Sequence, residues 1–149
     1  MEAFDMISIL FKVSGDLIYN KEVLNEIKES INTNCCVGLI YGLGTILSDK
    51  LREKNIPFSY ENGIRQTTPK GLEIALNVSE DVKKFLQSKL PNIILISPIN
   101  YLNGQITNTN ADDLVFKHIK DYDSVVIYTL KGRNKNKFKD APNIQIIEK

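Results

Sequence analysis

Three things are scarce in this sequence: an excess of either charge, cysteine, and apolar runs of membrane length. Nineteen basic side chains stand against eighteen acidic ones. A nucleic-acid binder usually carries a basic surplus, so no nucleic-acid partner is expected. The apolar stretch Met6 to Val13 falls short of a membrane span and has no basic flank before it, which argues against a membrane segment. The two cysteines, Cys35 and Cys36, are adjacent in an apolar run. Neighbouring cysteines rarely bridge each other and have no metal-ligand spacing. Both therefore read as reduced core residues of a cytoplasmic protein, and no metal site is expected. The lone histidine, His118, falls mid-helix and is given no role.

What is present suits one globular domain over residues 1–149, with 42% hydrophobic and 25% charged side chains, enough to build a core. Met6 to Ser14 reads as a strand buried on both faces, ending at Gly15. Lys21 to Ile31 has Val23, Leu24, Ile27 and Ile31 at helical spacing behind Asn20 as N-cap. Cys35 to Tyr41 is a second buried strand halted by Gly42, and Thr45 to Lys54 a second helix. A short strand is expected over Pro57 to Tyr60. Thr68-Pro69 then opens a long helix reaching about Lys89, with proline at its first position. Asn92 to Ser97 forms a third buried strand, and Tyr101 to Thr107 a hairpin turning at Asn103-Gly104. Asn110 caps a helix from Ala111 to about Lys120, Ser124 to Thr129 is a fourth strand, Gly132 to Lys139 a basic loop, and Ile144 to Ile147 an edge strand. Alternating strands and helices imply an α/β fold, a mostly parallel sheet with helices on both faces.

Four segments fall where the chain leaves a strand or enters a helix, which is where open α/β sheets bind ligands. In Lys12-Val-Ser-Gly15, a lysine within an apolar run is costly unless its ammonium meets an anion or water. Gly15 allows close backbone approach to a phosphate. A lysine snorkelling to solvent before an ordinary turn explains the same residues. Tyr41-Gly-Leu-Gly44 aims free N–H groups and a helix dipole at its surroundings, or else simply makes a tight turn. In Asn62-Gly-Ile-Arg-Gln-Thr-Thr68, Arg65 stands ready for a bidentate grip on a carboxylate, or is a surface arginine in a loop. In Asn108-Thr-Asn-Ala-Asp112, Asp112 sits in a first helical turn, where the dipole alone would favour it.

Together and in order, these segments resemble the amino acid kinase family, acetylglutamate kinases above all. The family's Lys-x-Gly-Gly is matched by Lys12 to Gly15, and its His-Gly-Gly-Gly in part by Tyr41 to Gly44. Its Asn-Gly-Leu-Arg-Val-Thr is matched by Asn62 to Thr67, and its Asn-x-Asn-Ala-Asp by Asn108 to Asp112. The resemblance implies a reduced amino-acid-kinase-like fold that uses ATP with Mg²⁺ to phosphorylate the carboxylate of an N-acyl amino acid. Lys12 would stabilise the phosphoryl group in flight, and Asp112 would organise the lysines. Gly15, Gly42 and Gly44 would offer N–H groups to phosphates and substrate. Arg65 would hold the α-carboxylate, and Asn108 would contact the substrate. A homodimer packed through the helix from Thr68 is also implied.

The departures shape the alternatives. Leu43 replaces the middle glycine, where a positive φ would strain it and its side chain would crowd the pocket. Tyr41 replaces the histidine, and Ser14 a glycine. Relative to the family, the nucleotide-binding portion is largely missing, along with the second lysine that meets the phosphates. Lys131, Arg133, Lys135 and Lys137 either stand in for that lysine or form a solvated loop. Three readings stay open: an ATP-dependent phosphotransferase, an inactive ligand-binding or regulatory module working with a partner protein, and an assembly subunit using the long helix. The ligand is a small carboxylate or phosphate in the first two.

Overall fold

A computed structural model describes residues 7–33, 36–141 and 143–149. The chain runs β1 (Ser8–Val13), α1 (Lys21–Ile31), β2 (Cys36–Tyr41), α2 (Gly44–Glu53), β3 (Phe58–Glu61), β4 (Ile64–Thr67), α3 (Pro69–Lys89), β5 (Ile94–Ile96), β6 (Ile99–Leu102), β7 (Gln105–Asn108), α4 (Ala111–His118), β8 (Ser124–Thr129) and β9 (Ile144–Glu148). Short 3₁₀ turns cover Gly15–Leu17, Ile119–Asp121 and Asn136–Phe138. The main sheet has the order β5-β2-β1-β8-β9, and every neighbouring pair in it is parallel. Its carboxyl ends therefore share one edge. The chain builds outward from β1 to β2 and β5, then crosses to β8 and β9, so the direction of winding switches beside β1. That is where a crevice opens in such sheets.

Strand periodicity divides the core. Phe11 and Val13 of β1 face a large cluster with Val23 and Ile27 of α1, Leu47 and Leu51 of α2, and Ala75, Val82 and Leu86 of α3. Leu10 faces the other side, where Leu114 and Val115 of α4, Ile127 of β8 and Phe138 cover it. Helices thus occupy both faces, the amino-acid-kinase-like architecture. Side chains two apart share a face, so Lys12 lies on the same side as Leu10, under the first turn of α4. The helix starts follow their capping residues: Asn20, Thr68 and Asn110 accept from the N–H groups of Val23 (3.0 Å), Gly71 (3.0 Å) and Asp112 (2.8 Å).

Two antiparallel hairpins stand apart from the main sheet, β3–β4 and β6–β7. Each turns on an Asn-Gly pair with both residues at positive φ, Asn62 (52°) with Gly63 (76°) and Asn103 (51°) with Gly104 (78°). These are the angles of a type I′ turn, which Asn-Gly favours. The first hairpin corrects the expectation of a loop around Arg65, which lies instead on β4 and is only 6% exposed. Cys36 is exposed rather than a core residue, and Cys35 lies outside the described residues. Leu43 has φ −124° and is buried in the larger core cluster, so the expected strain at this position is absent.

Candidate functional site: a cationic cleft at the sheet edge

The carboxyl ends of β1, β2 and β8, the first turns of α2 and α4, and both hairpins enclose a cleft of about 530 Å³. All seven residues singled out from the sequence, Lys12, Gly15, Gly42, Gly44, Arg65, Asn108 and Asp112, line it. So do Asp16, Arg52, Arg133 and Lys135. Five cations therefore face two carboxylates across this space.

Asp112 forms the hub of one wall. Its carboxylate lies 3.3 Å from the Lys12 ammonium, 2.9 Å from that of Lys135 and 3.4 Å from that of Lys137. Burial on its own would raise the Asp112 carboxyl. Lys12, Lys135 and Lys137 together outweigh it and hold the group below its ordinary 3.8. Lys12 is 5% exposed. Desolvation pushes its ammonium below the ordinary 10.5, with Lys135 adding to the effect and Asp112 opposing it. One carboxylate cannot neutralise three ammonium groups, and the excess positive charge is left at the cleft floor.

Arg133 and Lys135 precede the 3₁₀ turn Asn136–Phe138, and Lys137 lies within it. Arg133 donates to Asp16 (3.2 Å), while Lys135 and Lys137 reach Asp112. The segment is fixed by Phe138, the one buried residue between Lys131 and Asp140, whose ring stacks on Phe116 of α4 at 5.0 Å. Lys135 is thus folded into the cleft, while Lys131, Arg133 and Lys137 stay exposed at its rim.

On the opposite wall, Arg65 donates to the Ser48 hydroxyl (3.0 Å) and to the carbonyl of Gly44 (2.9 Å). Its guanidinium also lies over the rings of Phe58 (4.7 Å) and Tyr60 (5.0 Å). These bonds use two of its five N–H groups, the Tyr60 side chain engages the guanidinium further, and the residue lines the cleft. The Asn108 amide donates to the carbonyl of Arg65 (2.9 Å), and that of Asn110 to Gly63 (3.0 Å). These asparagines tie the first hairpin to the end of the second. Sequence reading gave Asn108 a substrate contact, and the structure gives it this structural bond as well.

The glycines act by close approach. A Cβ on Gly42 would lie 2.9 Å from the Gly15 nitrogen and 3.2 Å from the Val13 carbonyl oxygen. Gly42 also donates its own N–H to Val13 (2.8 Å), which corrects the expectation that this N–H is offered to a ligand. Gly44 and Thr45 begin α2, so their N–H groups have no intrahelical acceptor and the positive end of the helix dipole meets the cleft. Asp16, which the sequence reading missed, receives bonds from the hydroxyls of Thr45 (2.5 Å) and Ser14 (3.2 Å). Thr129, also missed, lines the cleft with a hydroxyl that has no partner among the described residues. Neither had a signal in the sequence, since each depends on which strand ends become neighbours.

No protein-family model matches the chain, and no curated protein matches it. Solved structures do. N-acetylglutamate synthase from Neisseria gonorrhoeae, complexed with coenzyme A and N-acetyl-glutamate, superposes with a TM-score of 0.72 at 13% identity over 84% of this chain. The same enzyme complexed with coenzyme A and L-arginine gives 0.68 at 12% identity over 87%. The protein smu.665 from Streptococcus mutans gives 0.59 at 16% identity over 82% of this chain and 72% of its own. The present chain spans only 42% and 45% of the two synthase chains. The synthase ligands are coenzyme A with N-acetyl-glutamate or L-arginine, and this overturns the expectation of ATP with Mg²⁺. Among the described residues no group of three or more His, Cys, Asp or Glu could hold a metal ion, and no helix is long and apolar enough to cross a membrane. At these identities the likeness shows the fold, the amino-acid-kinase-like architecture that the expectation named, carried by a synthase rather than a kinase.

Proposed function

We propose that the cleft binds a small carboxylate-bearing anion of the N-acyl amino acid class and that the protein serves as a ligand-binding or regulatory module. The observation that carries this reading is the imbalance of charge, five cations against two carboxylates in one cleft beneath the first turn of α2. Such an arrangement attracts an anion and supplies charge-assisted hydrogen bonds to hold it. In this reading Lys12 and Lys135 take one anionic group of the ligand, and Asp112 orients both ammonium groups. The Arg65 guanidinium, which lines the cleft, takes a second carboxylate. Asn108 supports that wall, Gly15 and Gly42 keep the two turns in close approach, and Gly44 presents the helix terminus. The ligand of the synthase structure, N-acetyl-glutamate, carries two carboxylates and is the natural first probe.

Isothermal titration calorimetry with N-acetyl-L-glutamate tests the proposal. Saturable binding is expected, weaker by about tenfold or more (1.4 kcal/mol) for N-acetyl-L-glutamine, which has lost one charge. Arg65→Met and Lys12→Met should each weaken binding by a similar factor. Absence of binding heat for the dicarboxylate at any salt concentration would reject the reading.

A further inference from the structure

A second cavity, of about 450 Å³, lies between α3 and the segment from β5 to β6, meeting the charged cleft only at Ile99, which lines both. Its size is that of a small-ligand site. The polar lining is arranged in one sense. The Ser97 hydroxyl donates to the carbonyl of Ile99 (2.8 Å) and accepts from the N–H of Ile99 (3.0 Å). Its single proton is therefore committed, so Ser79, at 2.6 Å, donates to Ser97. The Ser79 proton is then committed too, and Tyr41, at 3.2 Å, donates to Ser79. This directed chain leaves the Tyr41 oxygen with acceptor capacity but no donor facing it among the described residues. Tyr41 is 1% exposed and lines the cavity.

Two further acceptors meet it there. The Asn100 amide spends an N–H on the Ser97 carbonyl (2.8 Å), which leaves its oxygen free, and Glu80 lines the cavity without an ion-pair partner among the described residues. The only cation of the lining, Lys83, is likewise unpaired among the described residues. Leu76 and Leu95 supply apolar wall. Three acceptors, one cation and an apolar surface match a ligand with one ammonium, one carboxylate and a hydrocarbon side chain.

We propose that this cavity binds a small zwitterionic amino acid with an apolar side chain. The ammonium is taken by Glu80, Asn100 and the Tyr41 oxygen, and the carboxylate by Lys83. The proposal does not depend on the occupant of the charged cleft. An NMR titration of the ¹⁵N-labelled full chain with L-leucine tests it, with 3-methylbutylamine and 4-methylpentanoate as the two half-ligands. Leucine should give saturable shifts at Glu80, Asn100 and Tyr41, and each half-ligand should bind at least about tenfold more weakly. Glu80→Gln, an exposed position that leaves folding intact, should weaken leucine by about tenfold while leaving 4-methylpentanoate unchanged. Lys83→Met should weaken leucine and spare 3-methylbutylamine. Shifts that survive both substitutions, or no saturable shift at the cavity, would overturn the proposal. So would sedimentation showing a stable dimer whose interface covers the cavity and excludes leucine.

Discussion

Replacing Asp112 by Asn should destabilise the protein far more than removing the lysine it faces. At 3.3 Å the gross attraction between Lys12 and Asp112 is on the order of 5 kcal/mol at an effective dielectric of about 20. Much of this offsets the desolvation of Lys12, which is 5% exposed. Asp112→Asn leaves three ammonium groups converging on a neutral amide, and Lys12, at 5% exposure, gains little hydration from the cleft. Removing one partner of a buried pair costs about 3–5 kcal/mol. The backbone N–H of position 112 still donates to Asn110, so the helix cap is not part of the loss. Lys12→Met, by contrast, leaves Asp112 with Lys135 and Lys137 and should cost no more than about 1 kcal/mol. In the double variant Lys137, which is 42% exposed, turns to solvent, and most of the Asp112→Asn penalty is recovered. The coupling should reach about 2 kcal/mol. In urea, with a slope of about 2 kcal/mol/M, Asp112→Asn then lowers the midpoint by about 1.5–2.5 M. Strict additivity of the two substitutions, or a midpoint shift under about 0.5 M for Asp112→Asn, would refute the reasoning.

Four further outcomes follow from the same geometry. The folded Asp112 carboxyl titrates below its ordinary 3.8, so its contribution to stability is fully present above that value and lost as pH falls through the depressed one, which acid titration followed by circular dichroism should show. The Lys12 ammonium is depressed below 10.5, so the unfolded chain holds that proton more tightly. Its penalty is full at low pH and fades as pH rises from the folded value toward 10.5, and Lys12→Met should flatten that alkaline rise. Gly42→Ala places a methyl 2.9 Å from the Gly15 nitrogen, whereas Gly44→Ala meets nothing within 4 Å. Thermal melts should show a loss of about 1–3 kcal/mol for the first and within about 0.5 kcal/mol for the second. Phe138→Ala should cost about 3–5 kcal/mol and release the basic loop, so the Asp112 carboxyl should move up toward its ordinary range by NMR, while Val125→Ala, a core control on β8, should leave it in place.

The strands and helices were largely legible because their signals are local. The Ser124–Thr129 strand and the helix from Pro69 to Lys89 begin and end where the sequence places them, the latter because Thr68 caps and Pro69 fits the first turn. The Asn103-Gly104 hairpin was visible for the same reason. The identical pair at Asn62-Gly63 was hidden, since Arg65 and Gln66 gave its second strand no apolar alternation, and Arg65 was expected in a loop. Its burial comes from partners distant in sequence, Ser48 and the Gly44 carbonyl, which no local pattern can supply. Cys36 misled for a related reason: it has the neighbours of a buried strand but stands at the strand's first position, where pairing has only begun. The charged site divides in the same way. Lys12 and Asp112 were nameable individually, Lys12 as an anomaly in an apolar run and Asp112 by its place behind a cap. What could not be read was that a loop of alternating cations folds back onto Asp112. Charge alone would have left Lys135 in water, and it is the single aromatic Phe138, seated against Phe116, that brings this lysine of a solvated loop into the wall of the cleft.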